Sequence, residues 1–204
     1  MTDPNARQLF RLRSTYIEAG RLAMLSHLEV AHTLERTVRR AGLPFAVSQG
    51  FSPHMKIAFG AALPVGVGST CEIFDLQLVE YVAPEIALEA LKGASVQDLM
   101  VQECCYISNK APAASVAFPF STYEVVFDGD VGTLSIPDTI DVVRKKKEKT
   151  LVVSEFLAES PEVSGAVVRF TLEAKANGSL RPDVLLQHCH ADANVVSITR
   201  IAQR

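Results

Sequence analysis

Gly20–Lys56 reads GRLAMLSHLEVAHTLERTVRRAGLPFAVSQGFSPHMK, and the reading of the whole chain turns on it. Ser26 is followed three residues later by Glu29. That spacing predicts a capping box, in which the hydroxyl accepts from the third amide of a helix and the carboxylate reaches back. The helix it opens ends at Ala41-Gly42-Leu43-Pro44, a C-terminal glycine followed by a proline. Wound at the helical period, Val30, Ala31, Leu34, Val38 and Ala41 share one face, which is a core stripe. His32, Arg36, Arg39 and Arg40 share the opposite face. Beyond the helix, Ser48–Lys56 is a loop carrying Gln49, Gly50, Phe51, His54 and Lys56.

Working outward, Leu9–Tyr16 alternates apolar and charged residues as a half-buried strand does. Met55, Ile57 and Phe59 alternate with Lys56 and Ala58, and Cys71–Val79 aligns Phe74, Leu76 and Leu78, so two strands follow the helix. Pro84–Leu91 reads as a short amphipathic helix and Leu99–Ile107 as a strand. The order is βαββαβ, that of a ferredoxin-like unit. Ser108–Pro119 has the composition of a linker. A second pass is then predicted: strand Tyr123–Phe127, a helix opened by Ser135-Ile136-Pro137-Asp138 and running to about Lys146, strands Leu151–Phe156 and Ala166–Ala174, a helix after Ser179-Leu180-Arg181-Pro182-Asp183, and strand Val195–Ile201. The expected fold is α+β, two tandem ferredoxin-like (βαββαβ) units packed together, over residues 1–111 and 120–204.

The chain has 204 residues, 48% hydrophobic and 21% charged, which predicts a packed core rather than disorder. The formal net charge is −3, so the whole molecule makes no electrostatic case for nucleic acid; any anion-binding surface has to be local. Cys71, Cys104, Cys105 and Cys189 include no C-x-x-C pair, and reduced thiols in a cytoplasmic protein are expected. No secretory or membrane-spanning apolar run is read in the sequence.

Three guanidiniums and an imidazole on one helix face suit phosphates, because arginine offers paired donors to phosphate oxygens. The competing reading is a solvated face in which Arg36 and Arg39 pair with Glu29 or Glu35. The glycine-flanked loop adds exposed amides, a ring at Phe51 that can stack on a base and a point charge at Lys56. A hydrophobic plug over the core is the alternative for Phe51. His27 opens the helix, where it can serve local structure or meet phosphate. His54 is a candidate general base. The nucleic-acid-binding candidates are therefore His27, His32, Arg36, Arg39, Arg40, Gln49, Phe51, His54 and Lys56. His27, His32 and His54 with Glu72 or Asp75 fit no zinc spacing, and neighbouring His188, Cys189 and His190 diverge on a helix, so no metal or other cofactor is expected. Arg144–Lys149 reads as the solvated end of a helix; the alternative is that it extends an RNA path, if it lies on the side of Arg36, Arg39 and Arg40.

The blocks GRLAMLSHLE at 20–29, RRAGLP at 39–44, SQGFSPHMKI at 48–57, LPVGVGS at 63–69 and GSLRPD at 178–183 resemble the radical-SAM-linked domain of unknown function family (domain of unknown function 2344). Ala23-Met24 and Ala61-Ala62 depart from the family pattern. The resemblance implies a companion of a radical SAM protein and carries no settled activity. The C-x-x-x-C-x-x-C cluster motif is absent, so this chain does not itself ligate that iron–sulfur cluster. In outline the expected fold is also similar to Cas6-type endoribonucleases, an analogy of fold alone.

The expectation is a radical-SAM-associated accessory protein that binds RNA, tRNA or rRNA, and presents it to a partner enzyme. Two alternatives stay open. One is a metal-independent endoribonuclease with His54 or His27 as base and Lys56 stabilising the transition state. The other is a scaffold that binds protein without touching RNA.

Overall fold

The computed structural model describes residues 8–144, 147–175 and 178–204. Among them the fold is mixed α and β, with four helices and a large, mostly antiparallel sheet. The chain divides into two compact units. The first comprises Met1–Ala62 and Cys71–Ala117, the second Leu63–Thr70 and Phe118–Arg204.

The first unit runs β1 (Phe10–Glu18), α1 (His27–Arg40), β2 (Ile57–Phe59), β3 (Val67–Leu78), α2 (Pro84–Ala94), β4 (Val101–Ile107) and the single turn α3 (Ala114–Ala117). The start of β3 belongs to the second unit. The strand order is β4-β1-β3, with β2 also on β3. β4 lies antiparallel to β1, and β2 antiparallel to β3. One sheet face meets the helices: Leu12, Tyr16, Phe74, Leu76 and Leu78 form one core with Val30, Leu34 and Val38 of α1 and Ala87 and Leu91 of α2. The helical period of the apolar residues in α1 is thus used as the sequence predicts. The capping box is present: the Glu29 amide donates to Ser26 Oγ at 3.4 Å, and the Ser26 amide donates to Glu29 Oε2 at 2.8 Å. Gly42, at φ 66°, turns the chain past the helix end in the left-handed region that glycine occupies without strain.

The second unit adds β5 (Phe120–Phe127), β6 (Thr139–Arg144), β7 (Lys147–Val152), β8 (Glu162–Ser164), β9 (Val167–Glu173), α4 (Pro182–His188) and β10 (Val195–Gln203). β10 pairs in parallel with Val67–Ser69 and antiparallel with β5. β5 then pairs with β9, matching Tyr123 to Phe170 and Val125 to Val168. These side chains, with Ile140, Leu151, Phe156 and Leu185, make a separate core.

The second βαββαβ pass does not form as expected. The segment predicted as a helix from Ser135 towards Lys146 contains β6, paired with β7 as an antiparallel hairpin. Thr139, Ile140, Val142 and Val143 are β-branched and sit better on a pleated strand than in a helix. Their burial follows the strand period: Ile140 is 1% exposed and Val143 74%. Proline and aspartate at 137–138 imitate a helix start, but Ser135 instead bridges His190. Of the basic run, Lys145 and Lys146 lie outside the described residues, Arg144 ends β6 and residues 147–149 belong to β7, so its described part lies in strands rather than at a helix end. Likewise the predicted strand Leu151–Phe156 ends early, because Val153–Glu155 turn as a short 3-10 helix.

Candidate nucleic-acid interface

All nine sequence-predicted binding residues lie in the first unit and are exposed. Four sit on α1. His32, Arg36 and Arg40 recur every four residues, about 6 Å apart along the axis at the helical rise. Arg36 and Arg40 make no hydrogen bond or ion pair with the described residues. Arg39 is partly engaged: it approaches Glu35 at 3.9 Å, and its guanidinium lies 5.1 Å from the centre of the Phe45 ring. An exposed pair of that length contributes little and leaves Arg39 able to exchange partners.

Phe45 opens the excursion that carries the loop residues. It bridges Leu78, and Val47 bridges Met55 across the excursion. The Ala46 amide donates to Gln77 O at 2.7 Å, and the Lys56 amide to Ala46 O at 2.8 Å. The loop itself is closed by Ser48 and His54: the Ser48 amide donates to His54 O at 2.8 Å, and the His54 amide to Ser48 Oγ at 3.0 Å. Between these anchors Gln49, Gly50 and Phe51 face solvent, and Phe51 is 112% exposed relative to a reference residue. The plug alternative for Phe51 is excluded by that exposure. Met55, one residue after His54, is 5% exposed and is what ties the loop to the core. Lys56 is exposed beside it.

The contact of Arg39 with Phe45 joins the last turn of α1 to the segment leading into the loop. His27 stands apart from this group. It lies at the other end of α1, about 18 Å along the axis from Arg39 by the helical rise. Its ring packs in a T-shape with that of Phe59, with centroids 5.5 Å apart. Near the other end of the chain, His188 closes α4 with Nδ1 2.9 Å from Val184 O, while His190 has left the helix. No cluster able to hold a metal occurs among the described residues.

One constellation was not anticipated. Asp75, 3% exposed, receives Arg11 Nη2 at 2.7 Å, Arg13 Nε at 2.7 Å and Arg13 Nη2 at 2.9 Å. The same guanidiniums donate to backbone carbonyls: Arg11 to Ala111 O at 2.7 Å and Pro112 O at 3.1 Å, Arg13 to Pro112 O at 3.3 Å. Burial alone would raise the Asp75 carboxyl; the hydrogen bonds from Arg13 and Arg11 outweigh it and hold the group below the ordinary carboxylate range. The signal in the sequence was an aspartate inside the apolar run Ile73-Phe74-Asp75-Leu76, opposite two arginines spaced by two on a strand. Residues read as a linker are therefore pinned to the first unit, and Ala114 is 1% exposed.

None of the four cysteines is in a disulfide. Burial pushes the Cys189 thiol up to about 11 and raises Cys104, so neither presents a thiolate near neutrality. No helix is long and apolar enough to cross a membrane.

Over residues 11–182 the chain matches the family described as an uncharacterized protein conserved in bacteria (domain of unknown function 2344), and it belongs to that family. No curated protein matches it significantly.

Proposed function

We propose that this chain binds RNA, tRNA or rRNA, through the outer face of α1 and the loop after it, and presents that RNA to a partner enzyme of the radical SAM type without catalysing the reaction itself. The observation that carries the reading is the exposed, unpaired pair Arg36 and Arg40 on the same helix face as His32 and Arg39. Uncommitted guanidiniums on a protein of net charge −3 support the reading of a local anion-binding surface. Phe51 adds a ring free to stack on a base. The partner rests on the family resemblance of the blocks at 20–29 and 48–57. The first unit is read as a ferredoxin-like module, on its order β1-α1-β2-β3-α2-β4 and the sheet order β4-β1-β3-β2.

Filter binding of tRNA and rRNA fragments across a salt series tests the reading. The logarithm of the affinity falls linearly with the logarithm of salt concentration, and the combined variant Arg36→Glu, Arg39→Glu, Arg40→Glu abolishes the salt-sensitive part. Binding without salt dependence, or a variant that binds as the parent does, overturns it. RNA cleavage in EDTA that is lost in His54→Ala identifies the nuclease instead.

A further inference from the structure

Among the described residues β4 ends the strand order in the first unit, and β1 is its only partner. Cys104 to Ile107 form no backbone hydrogen bond with any other described element, so their outer amides and carbonyls face away from the sheet. Natural proteins blunt such edges with short strands, proline, lysine or bulges. The other edge of this unit, β2, has three residues; β4 has seven, with neither proline nor lysine. Its register irregularity falls at the Val101 end and leaves Cys104 to Ile107 regular.

A groove of about 680 Å³ runs along this regular half, between β4 and the start of α2. Its aromatic wall is preformed. Tyr106 and Tyr81 stack at 5.0 Å, and Phe10 packs in a T-shape with Tyr81 at 5.8 Å. Tyr106 Oη donates to Val82 O at 2.8 Å and accepts from the Val82 amide at 3.1 Å, which holds the segment before α2 in place. Tyr81 remains 61% exposed. Two charged side chains line the groove. Arg11 is spent on Asp75 and on two carbonyls. Glu85 is exposed and makes no hydrogen bond or ion pair with the described residues.

We propose that this groove is a strand-addition site: an extended segment of a partner protein pairs with the outer edge of β4 and places an arginine or lysine between Glu85 and the exposed ring of Tyr81. The free backbone edge selects a polypeptide, since main-chain hydrogen bonds supply affinity and alternate side chains supply specificity. The uncommitted carboxylate and the open aromatic face select a cation. The site is independent of the RNA reading, and none of its residues belongs to that surface.

The test is amide chemical-shift mapping of the intact chain with the heptapeptide acetyl-Val-Arg-Val-Arg-Val-Arg-Val-amide. Three further probes are the same peptide with alternate amides N-methylated, arginine amide alone, and a single-stranded RNA oligonucleotide. The peptide shifts residues of β4 and Tyr81 to Glu85. N-methylation weakens it about tenfold or more, as expected when several backbone donors are lost. Tyr81→Leu and Glu85→Gln each weaken it about fivefold, while Tyr81→Phe, which keeps the ring face, binds as the parent does. Four results overturn the proposal: no shift on β4 at millimolar peptide, equal binding of the N-methylated peptide, equal binding of arginine amide, or the same residues moved by RNA. Shifts on β4 that grow with protein concentration in the absence of peptide assign the edge to a second copy of this chain and overturn it too.

Discussion

Two groups of arginines in the first unit have opposite fates. Arg11 and Arg13 on β1 are nearly buried, share Asp75 and cap the carbonyls of Ala111 and Pro112. Arg36 and Arg40 on α1 are exposed and unpaired among the described residues. The side chain is the same, and the surroundings decide its role. A buried guanidinium needs fixed acceptors and becomes part of the framework, whereas an exposed one keeps its donors for a ligand.

The comparison breaks most decisively at Asp75. Asp75→Ala removes the carboxylate shared by the buried Arg11 and the nearly buried Arg13, and a loss of about 3–5 kcal/mol is expected in urea unfolding. If that variant does not fold, Asp75→Asn keeps the shape, removes the charge and leaves one acceptor oxygen in place of two. Acid probes the same triad without mutation. Because the folded carboxyl lies below its ordinary value, the stabilisation is fully present above the unfolded pKa, near 3.9. It fades as pH falls through the lower folded value. Thermal melts in the parent should therefore drop steeply below about pH 4, and less so in Asp75→Asn.

On the exposed side, Phe51→Ala is expected to cost about 1–3 kcal/mol in RNA affinity with an unchanged melting temperature. A fall in stability would show the ring packing on the protein after all. Ser26→Ala removes the cap of α1 and should cost about 1 kcal/mol in denaturant unfolding. The smallest effect sharpens the contrast furthest. Arg36→Ala should change stability by no more than about 0.5 kcal/mol while lowering the salt slope of RNA binding by about 1. If Arg36→Ala destabilises as Asp75→Ala does, the two groups are alike and the surface reading fails.

Much of the first unit was legible because its signals are local. Ser26 with Glu29, and Gly42 with Pro44, mark the ends of α1 through bonds made within a few residues. The stripe of Val30, Leu34 and Val38 is read at the helical period and is buried. The hairpin of β6 and β7 was misread because Ile136-Pro137-Asp138 has the form of a helix start, while the strand period of Ile140 and Val142 runs for only a few residues. Arg11 and Arg13 were visible as alternating charges on a strand, but nothing local to them names a partner 62 residues or more away.

Residue order alone determined the helix limits and its apolar and basic faces, since caps, periods and glycine turns act over a single turn of chain; that the ring of Phe51 is exposed rather than a plug was decided by the fold. Tertiary structure alone decided that Asp75 would accept from two arginines, that the segment after β4 would be pinned by them, and that the far edge of β4 would stay open beside Tyr81 and Glu85. Those outcomes depend on which strands become neighbours, and that is a property of the whole sheet rather than of any one segment.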